Sequence, residues 1–298
     1  MVDREQCLKS KVMHLLARMA ASLSFVFFLM KRNPLSLVGT IVLLAFILLG
    51  IVGPYITPYD PTETDMTSMY LPPSALHWMG TDALGRDVFS RVLSSASIDL
   101  AIAVFGVLFA SLVGLTYGII SSYYGRWVDE IMMRLLDSLQ AFPTIILGIV
   151  VATILGASAM NVIFVLAFVN FPMYARLTRS QVLSLKQSQF VDAARTVGNS
   201  NFRIMFRHLL PNILGPLYVQ GSLNIGWSVL MAATLSFVGL GVQPPTPEWG
   251  RMISDGARYM VSGEWWMAFF PGLFIFVFVF AANLFGDGLQ DVFDPKRR

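Results

Sequence analysis

The sequence predicts an all-α integral membrane protein with six transmembrane helices, and three observations lead there. Hydrophobic residues make up 55% of the 298 and charged residues 13%, with mean hydropathy +0.65, too little polar surface to cover a soluble globule. Five stretches, 35–56, 100–122, 142–176, 213–241 and 267–284, hold the roughly 20 apolar residues a crossing needs, and 142–176 is long enough for two. Lysine and arginine are unevenly shared. With the N-terminus inside, only Arg86, Arg91, Arg251 and Arg258 of the 21 fall outside, which places both termini in the cytoplasm.

In chain order, 1–34 is read as a cytoplasmic segment. Its apolar run 15–30 resembles the start of a signal peptide, but Arg18 interrupts it and Lys31-Arg32 close it with charge where small residues should stand. An interfacial helix with Phe25, Phe27 and Phe28 in the lipid is the preferred assignment. The membrane-spanning body follows over 35–298. Within it, 57–97 is an outer segment, where Asp82, Arg86 and Asp87 cluster around Gly80 and Gly85 as a fixed turn leading into an interfacial helix. In the second span Ala110, Gly114 and Gly118 recur every four residues, a small-residue stripe for close helix packing. The 142–176 block divides at Gly156-Ala157-Ser158. Asn170, Pro172 and Asn224 interrupt apolar helices, which suits either a partner helix or a pore lining. The outer segment 242–266 carries Trp249, Trp265 and Trp266, read as an interfacial aromatic belt.

The segment 190–211, inside the loop 181–212, is the most informative. It is polar between two apolar regions, so it reads as a docking handle or as an amphipathic surface loop. A short helix over 191–197 presents Ala193 and Ala194 for close approach of another backbone, and Gly198-Asn199-Ser200 breaks it. A second helix places Phe202, Met205, Phe206, Leu209 and Leu210 on one face and Arg203 and Arg207 on another, and Pro211 ends the run.

Several function classes are disfavoured. No GxxxxGK[ST] loop occurs, so any ATP is handled by a partner. His14, His77 and His208 lack companions at ligand spacing. No paired carboxylates or Ser-His-Asp set stands out, and the nearest hydrolase guess, Ser184 or Ser236 with His208, has no support in the spacing. The span middles are free of ionisable side chains, which argues against a proton-coupled secondary transporter. Asp99, Asp137 and Asp287 fall at span ends, where headgroup-level solvation explains them. Cys7 is the only cysteine, so no internal disulfide forms. The net charge of +3 follows from the inner loops, and no nucleic acid need be invoked.

Four sets of residues in order resemble the inner-membrane permease subunits of ABC importers in the dipeptide, oligopeptide and nickel group. They are Gly80-Thr81-Asp82 with Gly85-Arg86-Asp87, Ala141-Phe142-Pro143, the loop 190–211, and Leu240-Gly241 with Pro244-Pro245 and Trp249-Gly250. The ending Asn283-Leu284-Phe285-Gly286-Asp287-Gly288 with Asp294-Pro295 is also similar. That family docks its ATPase through an EAA loop, close to EAAxxxG followed by HxLP. Here the loop appears as Asp192-Ala193-Ala194, Gly198 and His208-Leu209-Leu210-Pro211, with Asp for the commoner Glu.

The resemblance implies a type I ABC-importer permease fold, and it makes Asp192, Ala193, Ala194, Arg195, Gly198, Arg203, Arg207, His208 and Pro211 the ATPase-coupling residues. Asn170 and Asn224 become pathway-lining candidates. It implies a second homologous permease subunit in a heterodimer, two ATP-binding subunits that hold ATP and Mg, an extracytoplasmic solute-binding protein, and a place among the lipids of the inner (plasma) membrane. No cofactor is expected in this chain. The GTDALGRD segment and the DP-containing tail are similar to the second, C-type, permease. Peptide is the default cargo, with nickel, metal chelates, glutathione and sugars open.

Overall fold

The computed structural model describes residues 34–293. The interfacial helix expected at 15–30, Cys7, His14 and the tail from Asp294 lie outside them. Among the described residues every regular element is helical, and strand-like pairing is confined to a bridge between Thr81 and Asp87. The order is α1 Pro34–Ile56, α2 Val88–Tyr124, α3 Arg126–Gln140, α4 Thr144–Leu155, α5 Ala159–Leu185, α6 Gln189–Thr196, α7 Leu210–Phe237, α8 Trp249–Ala257 and α9 Trp266–Phe293.

By length and composition, α1, α2, α5 and α9 can each cross a membrane, and α3 with α4 makes a fifth span if the pair, bent by 90°, counts as one. This falls short of the six expected, for two physical reasons. The 142–176 block does break at Gly156–Ser158, but α4 then has only 12 residues, roughly 18 Å at 1.5 Å per residue, less than a bilayer core of about 30 Å. Helix α7 is long enough at 28 residues, but Gln220, Ser222, Asn224 and Ser228 lower its hydropathy.

Helices α2 and α5 form the central pair, and the small-residue stripe makes their contact. Ala110, Gly114 and Gly118 are all buried. A Cβ on Gly114 would strike the Phe171 carbonyl and Tyr174, and one on Gly118 would strike the Ala175 carbonyl and Thr178. Backbones this close gain dispersion contacts that larger side chains would forbid. At one end of the bundle, Phe46, Trp249 and Phe278 pack edge to face within a shared core. At the other, Tyr123, Val191, Ala194, Met205 and Leu209 share a second core, so the handle segment is built into the subunit's own packing.

Candidate functional site

Helix α6 is short, and its C-terminus is closed by a full set of backbone bonds. Gly198 N–H donates to the Arg195 carbonyl at 2.9 Å and Asn199 N–H to the Ala194 carbonyl at 3.1 Å, the paired bonds of a Schellman cap. Such a cap needs a residue in the left-handed region, and Gly198 supplies it with φ +81°. The two alanines part company here. Ala193 is exposed, whereas Ala194 is 7% exposed and packs with Val191 into the second core. Ala194 is therefore not available for another backbone, contrary to the expectation, because a helix on a surface must spend one stripe on its own subunit. Asp192 and Arg195 face outward and pair at 3.5 Å, an exposed contact of little energetic consequence.

The second helix differs from the regular α-helix expected. Residues Asn201–Arg203 make one turn, and Ile204–Leu209 is π-helical, with Leu210 N–H donating to the Met205 carbonyl. The wider winding stacks residues five apart, so Ile204 and Leu209 are buried together with Met205, while Phe206 and Leu210 are half-buried. Phe202 leaves the expected apolar face: it is 69% exposed and rests on the Phe206 ring at 4.7 Å. Ile204 takes its place. Arg203 and Arg207 are exposed, as is Val197, at 82%. The His208 carbonyl accepts from Asn212 Nδ2 at 2.7 Å. Pro211 does not end the run. It sits in the first turn of α7, which continues directly from the π-helical segment.

The contacts that hold this segment carry no local sequence signal. Tyr123, at the end of α2, donates its hydroxyl to Asn201 Oδ1 at 2.7 Å. Lys186 Nζ donates to the carbonyls of Tyr123 at 2.6 Å and Ser122 at 3.2 Å, placing a cation where the α2 C-terminal carbonyls are unpaired. Burial first, then the nearby Arg195 charge, holds the Lys186 ammonium below its ordinary pKa. The Arg195 guanidinium stands 5.9 Å from the Tyr123 ring centroid. One tyrosine thus touches both the end of a long span and both halves of the handle.

At the opposite end, the expected fixed turn is present. Asp82 accepts from Leu84 N–H and Arg86 N–H at 2.8 and 3.0 Å and from Arg86 Nε at 2.7 Å. Asp87 caps α2 by accepting from Ser90 N–H, and its other oxygen meets His77 Nδ1 at 2.9 Å. The turn leads directly into the 37-residue α2, not into a separate interfacial helix. Trp249 and Trp266 are buried, so they do not form the aromatic belt. Trp249 Nε1 donates to the Val92 carbonyl and Trp266 Nε1 to the Thr81 carbonyl, and of the three only Trp265 is exposed.

Asp99 also departs from expectation. It is buried, accepts from Trp249 N–H at 3.2 Å, and is hydrogen-bonded to the Glu248 carboxyl. Glu248 in turn caps α8 by accepting from Gly250 and Arg251 N–H. Burial raises the Glu248 pKa above its ordinary value. Two carboxyls 149 positions apart gave no sequence signal, because only the fold of α8 onto α2 brings them together. Asp137 and Asp287 are exposed, as expected. Between α5 and α7, Asn224 Nδ2 donates to Asn170 Oδ1 at 3.4 Å and to the Tyr174 hydroxyl at 3.2 Å. Both asparagines are buried within the subunit, so a partner helix satisfies them. Among the described residues no His, Cys, Asp and Glu gather as a metal site.

A bundle of apolar, span-length helices with a packed, outward-presented short helix at one end defines an integral membrane protein. The chain belongs to the family described as binding-protein-dependent transport system inner membrane component, which matches residues 106–298, and residues 24–73 match the N-terminal TM domain of oligopeptide transport permease C. It is 44% identical to a dipeptide transport system permease protein of Alkalihalophilus pseudofirmus, covering 90% of this chain and 88% of that one. It is 40% identical to a probable D,D-dipeptide transport system permease protein of Escherichia coli, covering 90% of each. It is 42% identical to a glutathione transport system permease protein of Pectobacterium atrosepticum, covering 89% and 88%. Among solved structures, an inward-facing form of the MetNI methionine ABC transporter shares the fold, with TM-score 0.55 at 18% identity, covering 68% of this chain and 97% of that one.

Proposed function

We propose that this subunit forms half of a peptide pathway in an ATP-driven importer, with six crossings and both termini cytoplasmic. The sixth crossing is α7, and α4, extended by the non-helical residues 141–143 and 156–158 at its two ends, provides another. A second homologous permease completes the pathway, two ATP-binding subunits hold ATP and Mg, and an extracytoplasmic binding protein delivers the cargo. Dipeptides are the favoured substrate because two of the similar permeases named above carry dipeptide in their names; glutathione, itself a peptide, is the second reading.

The observation that carries the coupling role is α6, anchored on Val191 and Ala194 yet offering Asp192, Ala193, Val197 and, from the next turn, Phe202 outward. Apolar side chains this exposed beside Arg203 and Arg207 suit a cleft on a partner protein. Closure of the ATPases would push on α6, and the Tyr123 and Lys186 contacts would pass that push to α2 and α5 as a rigid-body movement. Asn170 and Asn224 stand as a braced polar node beside the path. In vesicles containing the full complex, uptake of labelled dipeptide should require both ATP and the binding protein. Uptake that follows a proton gradient without ATP would refute the proposal.

A further inference from the structure

Helix α3 carries three distinct stripes along its 15 residues. One stripe is turned into the subunit: Asp129 accepts from Arg179 Nε and Nη2 at 2.7 and 2.6 Å, Leu136 is buried, and the Met132 carbonyl accepts from the Tyr117 hydroxyl. A second stripe, Trp127, Ile131 and Leu135, recurs every four residues and is exposed. A third, Arg126, Glu130 and Arg134, runs beside it and is also exposed.

The axis of α3 stands at 90° to that of α4, whose exposed Ile145, Ile146 and Val150 present a continuous apolar surface. The apolar stripe of α3 joins that surface through the exposed Phe142. A helix perpendicular to a span, with adjacent apolar and charged stripes and a tryptophan on the apolar one, has the amphipathic form that rests at a membrane interface. We propose that α3 lies in the bilayer surface at the end of the molecule that bears α6, with Trp127, Ile131 and Leu135 inserted among the acyl chains and Arg126, Glu130 and Arg134 at the headgroups. The occupant of the apolar stripe is lipid. The ion pairs of α3 to α5, Asp129 with Arg179 and Asp137 with Arg176, then hold the base of α5, next to Lys186 and α6, at a fixed depth in the membrane.

The test is site-directed spin labelling of the assembled transporter in vesicles, in a Cys7→Ser background. Trp127→Cys, Ile131→Cys and Leu135→Cys probe the apolar stripe, and Glu130→Cys and Arg134→Cys the charged one. The expected result is a higher ratio of oxygen to nickel-chelate collisions at 127, 131 and 135 than at 130 and 134, repeating every four residues. Chelate-favoured collisions at 127, 131 and 135 would place the stripe in water and overturn the proposal. Low collision with both reagents there would mean a protein covers it, which overturns it equally. Dipeptide uptake by each labelled variant, read in parallel, separates a misfolded complex from a misplaced helix.

Discussion

The Tyr123 hydroxyl donates a 2.7 Å hydrogen bond to Asn201 Oδ1, joining the end of α2 to the turn that leads into the π-helical segment, across 78 residues of sequence. A bond of this kind contributes about 1 kcal/mol, or about five-fold in a conformational equilibrium. Tyr123→Phe keeps the ring under Arg195 and removes only that bond. We expect the complex to assemble normally, with peptide transported per ATP hydrolysed falling by up to that factor. An unchanged ratio in vesicles would show that the push from α6 reaches the spans by another route.

Gly198→Ala tests the cap. No atom lies within 4 Å of the Cβ it would gain, so its effect is conformational alone, about 1–2 kcal/mol for an L-residue forced left-handed. Gly198→Asn should be milder. Amide exchange of α6 should quicken in the order Asn, then Ala, with the spans unaffected.

The closeness of α2 and α5 gives a stability prediction. Gly118→Leu overpacks that contact and should cost about 1–3 kcal/mol or more, seen as a lower melting temperature in detergent. Val113→Ala, on an exposed face of the same helix, should leave it unchanged.

Glu248 predicts a pH dependence for the opposite end. Its pKa is raised in the fold, so the folded state favours the protonated acid. That contribution is fully present below the ordinary glutamate value and is lost as pH rises through the elevated one. The docking of α8 should therefore loosen at higher pH, read as faster exchange of the 249–257 amides after correction for intrinsic rates. Glu248→Gln, neutral throughout, should weaken the trend without abolishing it, because the Asp99 carboxyl bonded to it is also buried. Glu248→Ala should loosen α8 at every pH, because it strands the Gly250 and Arg251 donors.

Much of this architecture was legible in the sequence. Apolar runs of span length marked α1, α2 and α9, Gly156–Ser158 marked a helix break, the Ala110-Gly114-Gly118 stripe marked a packing face, and Gly198 marked the end of α6. What escaped was whatever depends on which elements meet. The stripe assigned to Phe202 presumed 3.6 residues per turn, and the π-helix exchanged it for Ile204. Ala193 and Ala194 are indistinguishable by type, and only the second core decides which is buried. Trp249 and Asp99 suit a membrane boundary by composition, yet α8 folds back on α2 and buries both. Lys186 and Tyr123 gave no motif, since a lysine that caps a helix remote in sequence leaves no local pattern.

The central claim, that α6 transmits the work of ATPases to this subunit, is tested most directly at Ala193, the exposed alanine. A photoreactive residue replacing Ala193 in the membrane-embedded complex should, on illumination, form an adduct with an ATP-binding subunit. The same residue at Val113, mid-span on an exposed face of α2, should not. An adduct from both positions, or from neither in a complex whose ATPases co-purify, would contradict the coupling role of α6.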